Sequence, residues 1–323
     1  MSSCCLRTAV LLPCLDEQAA IADVVKAFGQ ALPDARIYVY DNGSMDATVE
    51  RAAAAGTAVR SEPRKGKGNV VRRMFSDIEA DVYVLVDGDG TYDASAASGL
   101  VDRLVAENLD MVVGVRVEAE DQDPYRPGHR MGNALLNWLI RRMFGALFTD
   151  VSSGYRVMSR RLVKSFPALS RRFEIEPELA IHCAHLRLPC AEVPTRYLER
   201  PEGGESKLRT LRDGRRALLT IGLLVKEFHP FRFFTSAAVV LGLVALVLAV
   251  PIVLTFWETG LVPRLPTAVL CAALGLASLG SFLSGVVLDS VSRGRQELKR
   301  MAYLRYPSVQ EAVRTRPPSS AGT

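Results

Sequence analysis

The sequence predicts an α/β domain built on a mostly parallel sheet, followed by two helices long enough to cross a bilayer. Three observations predict it. Short apolar runs alternate with stretches of helical periodicity over the first two-thirds of the chain, the pattern of successive βαβ units. The run at 82–86 shows no polar alternation, as expected of a strand buried on both faces. Beyond Phe234 two uncharged stretches, 235–257 and 266–288, each reach the length that a hydrocarbon core requires.

Taken in order, residues 8–12 read as a strand and 17–32 as a helix. A second strand, 36–40, stops in Asp41-Asn42-Gly43-Ser44. Asp46 then sits as the cap of an alanine-rich helix that closes at Gly56. A strand over 57–60 and a helix over 69–80 lead to the 82–86 strand, which ends in Asp87-Gly88-Asp89-Gly90. A helix over 94–108 and a strand over 111–115 end at Arg116. The polar, proline-containing 118–130 reads as a loop and 131–148 as a helix. A turn into a short strand follows, then a helix over 173–186, a late strand over 191–197 and a Gly/Glu-rich loop over 199–205. Residues 208–228 suit an amphipathic helix lying in a membrane interface, and the Pro/Ser-rich end after Arg314 reads as disordered. The expected domains are 1–206, a juxtamembrane region 207–234, a transmembrane hairpin 235–291 and a cytoplasmic tail 292–323. Removing everything beyond Phe234 is expected to leave a folded domain.

Charge placement says more than the net value of +5. Lys207, Arg209, Arg212, Arg215, Arg216, Lys226 and Arg232 precede the first span, and Arg293, Arg295, Lys299 and Arg300 follow the second. The loop between the spans is nearly neutral, so both flanks are expected on the cytoplasmic side. Beside a membrane span such basic flanks suit anionic lipid, and nucleic acid is not expected as a partner. The N-terminal stretch lacks the charged start and cleavage site of a signal peptide. The six cysteines form no CxxC pair and read as reduced thiols. The four histidines show no metal-ligand spacing, and no GxGxxG follows the first strand, which disfavours a dinucleotide site.

The chemistry gathers at strand ends. Pro13 and Glu17, Asp41, Asp87 and Asp89, and Arg116 all lie at or just beyond the C-terminal ends of predicted strands, where open α/β sheets bind ligands. Asp87 and Asp89, two residues apart and each followed by glycine, can turn oxygens toward one hard divalent cation, which would neutralise a diphosphate. In this order the motifs resemble the family 2 glycosyltransferases of GT-A fold. LLPCLDEQAAI is similar to their P-x-x-N-E opening, with Asp16 in place of Asn. VYDNGSMDAT is similar to V-D-D-G-S-x-D-x-T, with Asn42 in place of the second acid. RKGKGNVV matches the R-G-K-G segment and VDGDG the D-x-D motif. VGVR, HRMGN, TDVSSGYRVMSR and the Ser-Lys pair in GGESKL, followed by two spans, resemble the membrane-anchored polyprenyl-phosphate glycosyltransferases. Bactoprenol glucosyltransferases and dolichol-phosphate mannose synthases belong to that group.

The resemblance implies a GT-A catalytic domain with Mg²⁺ or Mn²⁺ as cofactor. It places Pro13, Leu15, Glu17, Asp41, Lys67, Asp87, Gly88, Arg200 and Lys207 around the nucleotide-sugar, Ser206 joining the last two in a loop over the diphosphate. That loop carries one residue more than the usual R-x-x-G-x-S-K. Asp89, with Asp87, would hold the metal; Arg116, Arg130 and Asn133 would hold the acceptor phosphate, and Asp150 would border the reacting sugar. The implied reaction is inverting transfer of a hexose, UDP-glucose first, to polyprenyl phosphate at a bacterial inner membrane. UDP-N-acetylhexosamine and GDP-mannose are the alternative donors, and Asn42 hints at altered base contacts. Homo-oligomers are compatible with the resemblance. A processive synthase is disfavoured because the chain has no Arg-Trp pair of the Q-x-x-R-W kind. A non-catalytic membrane subunit that binds sugar nucleotide or lipid remains the reading from another class, against which the two D-x-D carboxylates stand.

Overall fold

The computed structural model describes residues 6–117, 148–170, 174–198 and 230–315. Two compact units are present, residues 1–211 with 299–323, and residues 212–298.

The first unit carries a seven-stranded sheet. Its strands are β1 (Thr8–Cys14), β2 (Arg36–Asp41), β3 (Ala58–Ser61), β4 (Val82–Leu85), β5 (Met111–Val117), β6 (Arg156–Ser159) and β7 (Cys190–Arg196). They lie in the order β3-β2-β1-β4-β6-β5-β7. Helices α1 (Ile21–Ala31), α2 (Thr48–Ala54), α3 (Lys67–Asp77) and α4 (Ala97–Ala106) connect the early strands, so that β1 pairs in parallel with both β2 and β4. The apolar stripe of α1, with Ile21, Val24, Val25 and Phe28 buried, shows the helical spacing of a core-facing helix. The 94–108 helix begins one turn late, because Ala94–Ala96 is a 3-10 turn capped by the Asp93 side chain. Asp46 stands one residue outside the cap of α2, its carboxylate accepting from the Thr48 amide at 3.0 Å.

The sheet is mixed rather than wholly parallel. β6 runs antiparallel between β4 and β5, with Leu85 opposite Arg156 and Val113 opposite Arg156 on the other side. β4 and β5 therefore still run the same way, and their C-terminal ends share one edge with those of β1 and β2. The segment leading into β6 enters at that same edge. This places residues 150–155 level with Asp87.

One short helix was not expected, and the helix expected over 173–186 is present. α5 (Arg160–Ser165) starts directly after β6, Ser159 accepting from the Leu162 amide at 3.2 Å. α6 (Ile175–Leu186) follows and ends in the left-handed Arg187. Burial pulls the His182 pKa down to about 3, so its ring is neutral against Phe166.

The second unit holds α7 (Pro230–Thr259) and most of α8 (Leu265–Leu304). Only 11% and 6% of their most apolar windows are buried, which separates them from the core helices of a soluble fold; both are long and apolar enough to cross a membrane. Small residues let the two helices approach: Ser278 donates to the Ala238 carbonyl at 2.7 Å and Ser281 to that of Phe234 at 3.0 Å. The expected amphipathic helix 208–228 and the helix 131–148, apart from Phe148, lie outside the described residues.

The largest departure from expectation follows the hairpin. α8 runs on through the residues read as a tail, and α9 (Val309–Thr315) then packs beside α4. Val309 joins the same hydrophobic cluster as Val10, Leu12 and Leu100. The Tyr303 hydroxyl donates to the buried Asp110 carboxylate at 2.8 Å, and the Gln310 amide to the Val105 carbonyl at 3.0 Å. Residues from Lys299 on thus belong to the first unit, and a cut after Phe234 removes part of its core.

Candidate active site

The edge where β1, β2, β4 and β5 end collects the predicted residues. Pro13 is buried in β1 beside Tyr40, and Leu15 and Glu17 lie just beyond. The Glu17 amide is held by the Thr48 hydroxyl at 2.8 Å, and its carbonyl starts α1. Asp41 closes β2. Its carboxylate accepts from the Gly43 and Ser44 amides at 2.9 and 3.1 Å, which folds the turn around it.

Asn42 has a different task from the one expected. It is buried, its amide nitrogen donates to the Glu62 and Arg64 carbonyls at 2.9 Å, and its oxygen accepts from the Gly66 amide at 2.6 Å. A carboxylate could not make the two donations. Asn42 therefore braces the loop that leads into α3, and with it the position of Lys67.

Lys67, in the first turn of α3, is almost fully buried and forms ion pairs with Asp87 and with Glu176 of α6. Burial acts to lower its pKa, but the Asp87 and Glu176 carboxylates outweigh burial and hold it above the ordinary lysine value. The ammonium is therefore charged throughout the working pH range.

Two residues on from Asp87, Asp89 is 5% exposed and accepts from the Thr91 amide at 3.1 Å and the Thr91 hydroxyl at 2.6 Å. Two glycines make room. A Cβ on Gly88 would overlap the Cys14 sulfur, and one on Gly154 would stand 2.6 Å from Asp87 Oδ2 and 3.3 Å from Lys67 Nζ. Gly154 is fixed there by its amide, which donates to the Tyr92 hydroxyl at 2.8 Å. Gly154→Ala should displace Asp87 and lower turnover by roughly tenfold to a hundredfold. Initial rates at saturating substrate measure this, and an unchanged rate would show that Asp87 tolerates the shift.

Arg116 and Asp150 meet in a bidentate pair, Nε to Oδ2 and Nη2 to Oδ1, both at 2.8 Å. Glu192 of β7 holds the Asp150 loop, accepting from the Thr149 amide and hydroxyl at 2.7 Å and the Asp150 amide at 3.2 Å. Beneath that loop Arg156 is fully buried and donates to the Ser153 and Val151 carbonyls at 3.0 and 2.6 Å; burial lowers its pKa. Arg130, Asn133, Arg200, Ser206 and Lys207 lie outside the described residues.

Among the described residues no three His, Cys, Asp or Glu side chains gather as a metal cage. A cation held by Asp87 and Asp89 would take its remaining ligands from a diphosphate and water. The donor set consists of hard carboxylate oxygens, suited to Mg²⁺ and Mn²⁺ alike.

Sequence reasoning missed Glu176, Glu192 and Arg156. Glu176 had a signal. It shares a helix face with Ala180 and Cys183, all of them buried, so an acid stood where an apolar residue belonged.

A mixed sheet of this order, with paired carboxylates after its central strand, defines an α/β transferase site of the GT-A kind. The family profile for "Glycosyl transferase family 2" matches residues 9–166. Glycosyltransferase AglJ of Haloferax volcanii is 32% identical over 302 residues, 91% of this chain and 97% of the relative. Protein RfbJ of Shigella flexneri is 57% identical over 122 residues, 38% of this chain and 95% of the relative. The crystal structure of glucosyl-3-phosphoglycerate synthase from Mycobacterium tuberculosis, in complex with Mn²⁺ and UDP-glucose, superposes with a TM-score of 0.54. It is 23% identical, covering 68% of this chain and 78% of that one. The chain belongs to glycosyl transferase family 2 and is a glycosyltransferase of GT-A fold.

Proposed function

We propose that the chain transfers a hexosyl group from a nucleotide-sugar, UDP-glucose foremost, to a polyprenyl phosphate at the cytoplasmic face of a bacterial cell membrane. One combination of features in the chain supports this reading. The Asp87–Lys67 and Asp89 edge, whose charges suit a metal-diphosphate, lies in one chain with two helices whose apolar faces are exposed. A lipid acceptor brings the substrate to such helices.

The acceptor phosphate is already anionic, so no group need remove a proton from it. Its oxygen forms a bond to the anomeric carbon as the bond to the diphosphate oxygen breaks, which inverts the configuration. A divalent cation on Asp87 and Asp89 would supply charge neutralisation for the departing diphosphate. Lys67 adds a fixed positive charge at the same place. Arg116 offers a planar fork matched to phosphate as well as to carboxylate. Asp150 occupies that fork, and an arriving acceptor phosphate takes its place or shares it.

The test is incubation of membranes containing the protein with undecaprenyl phosphate and labelled UDP-glucose, UDP-N-acetylglucosamine or GDP-mannose. Label should enter the lipid fraction from one donor, and transfer to no polyprenyl phosphate overturns the acceptor class. In the same assay, Arg116→Ala should raise the KM for polyprenyl phosphate about tenfold or more, leaving that for the nucleotide-sugar within about twofold. The reverse pattern would move Arg116 to the donor side.

A further inference from the structure

Glu176 stands outside every motif that resembles the family, yet it is the second carboxylate on the Lys67 ammonium. It comes from α6, some 90 residues along the chain from the Asp87 turn, and it is 3% exposed. A buried carboxylate is costly to keep unless it is paired. The Glu176 carboxylate forms an ion pair with the Lys67 ammonium at the nucleotide edge.

The geometry of Lys67 explains what such a residue does. A lysine on a four-carbon stem with one acidic partner can swing. With Asp87 on one side and Glu176 on the other, and a Gly154 whose Cβ, were one present, would meet both Asp87 and the ammonium, Lys67 is held from two directions. Two of its three N–H groups are committed to carboxylates, which leaves one for an anionic oxygen.

We infer that Glu176 is a positioning residue that fixes the Lys67 ammonium for the β-phosphate of the donor. This rests on the nucleotide-sugar reading above. Glu176 acts through Lys67 and touches no substrate, so its effect must follow the diphosphate and vanish when Lys67 is absent.

Calorimetric titration of the full chain in detergent tests this, with Mn²⁺ present, using UDP and UMP and in parallel GDP and GMP. The pair that binds the wild type is the one read. Glu176→Gln should weaken diphosphate binding about tenfold and leave the monophosphate within about twofold. In a Lys67→Met background, adding Glu176→Gln should cost no further affinity, since the two residues form one unit. Equal losses for diphosphate and monophosphate, or no loss for either, would overturn the inference, because packing damage does not distinguish the β-phosphate. Should Glu176→Gln alone fail to fold, Lys67→Met/Glu176→Gln removes both members of that pair. A double variant that binds diphosphate more weakly than Lys67→Met overturns the route through Lys67, and equal affinity supports it. A wild type that binds neither nucleoside diphosphate takes the nucleotide-sugar reading down first, and this inference with it.

Discussion

Asp89→Asn should lower turnover by about a hundredfold or more while leaving the protein folded, the scale of loss seen when one electrostatic stabiliser of a transition state is removed. The fold should survive because the Thr91 amide and hydroxyl both bond to a single oxygen, Oδ1, which asparagine retains. What is lost is one negative charge in a buried place beside Asp87. In the proposed reaction that charge helps hold the cation against the diphosphate. Chelation should act in parallel, and excess EDTA should abolish wild-type transfer. Single-turnover rates with and without EDTA measure both effects. Full activity in EDTA would remove the metal from the reaction, and an Asp89→Asn enzyme of wild-type rate would remove Asp89 from it.

Asp110→Ala should be the most destabilising single change in the first unit. Asp110 is fully buried at the start of β5. Its carboxylate accepts from the Ser159 hydroxyl at 2.7 Å, from Arg161 through Nε and Nη2, and from the Tyr303 hydroxyl at 2.8 Å. The Arg161 and Arg300 guanidiniums also lie over the Tyr303 ring, at 4.8 and 5.3 Å. Removing the carboxylate leaves a largely buried guanidinium without its counter-ion, a loss of about 3–5 kcal/mol. For a domain of this size that corresponds to a fall in Tm of roughly 6–20 °C. Tyr303→Phe removes one hydrogen bond and should cost about 1 kcal/mol. Thermal unfolding of the two variants in detergent checks the ranking. An Asp110→Ala protein as stable as Tyr303→Phe would mean that Arg161 finds another partner.

Much of the fold was legible because periodicity is local. β1, β2, β4 and β5 are short apolar runs that stop at charged residues, and the strand-end carboxylates could be placed on one edge from the alternation alone. The direction of β6 was not legible. Its four residues are all buried and begin with an arginine, and strand direction leaves no mark in hydrophobic pattern. Arg156 is tolerated there because two carbonyls of the preceding loop receive its N–H groups, a long-range arrangement with no sequence signature. The role of Asn42 was hidden for a related reason. Its partners, Glu62, Arg64 and Gly66, come from the far side of α2, so only the folded chain shows why an amide stands where an acid is usual. The contribution of 299–315 was masked by composition, since basic residues after an apolar stretch read as a flank rather than as a returning piece of the domain.

That return restricts how the chain can thread a bilayer. Tyr303 and Gln310 bond to Asp110 and to Val105, partners 193 and 205 residues earlier, so both ends of the intervening segment occupy the same aqueous compartment. The segment must then cross an even number of times. Two crossings satisfy the parity, as no crossing at all would, whereas a single crossing by α7 or by α8 alone is forbidden whatever the distribution of lysine and arginine. One tyrosine hydroxyl thus acts as a parity check on membrane insertion, independent of the charge rule that predicts the same hairpin.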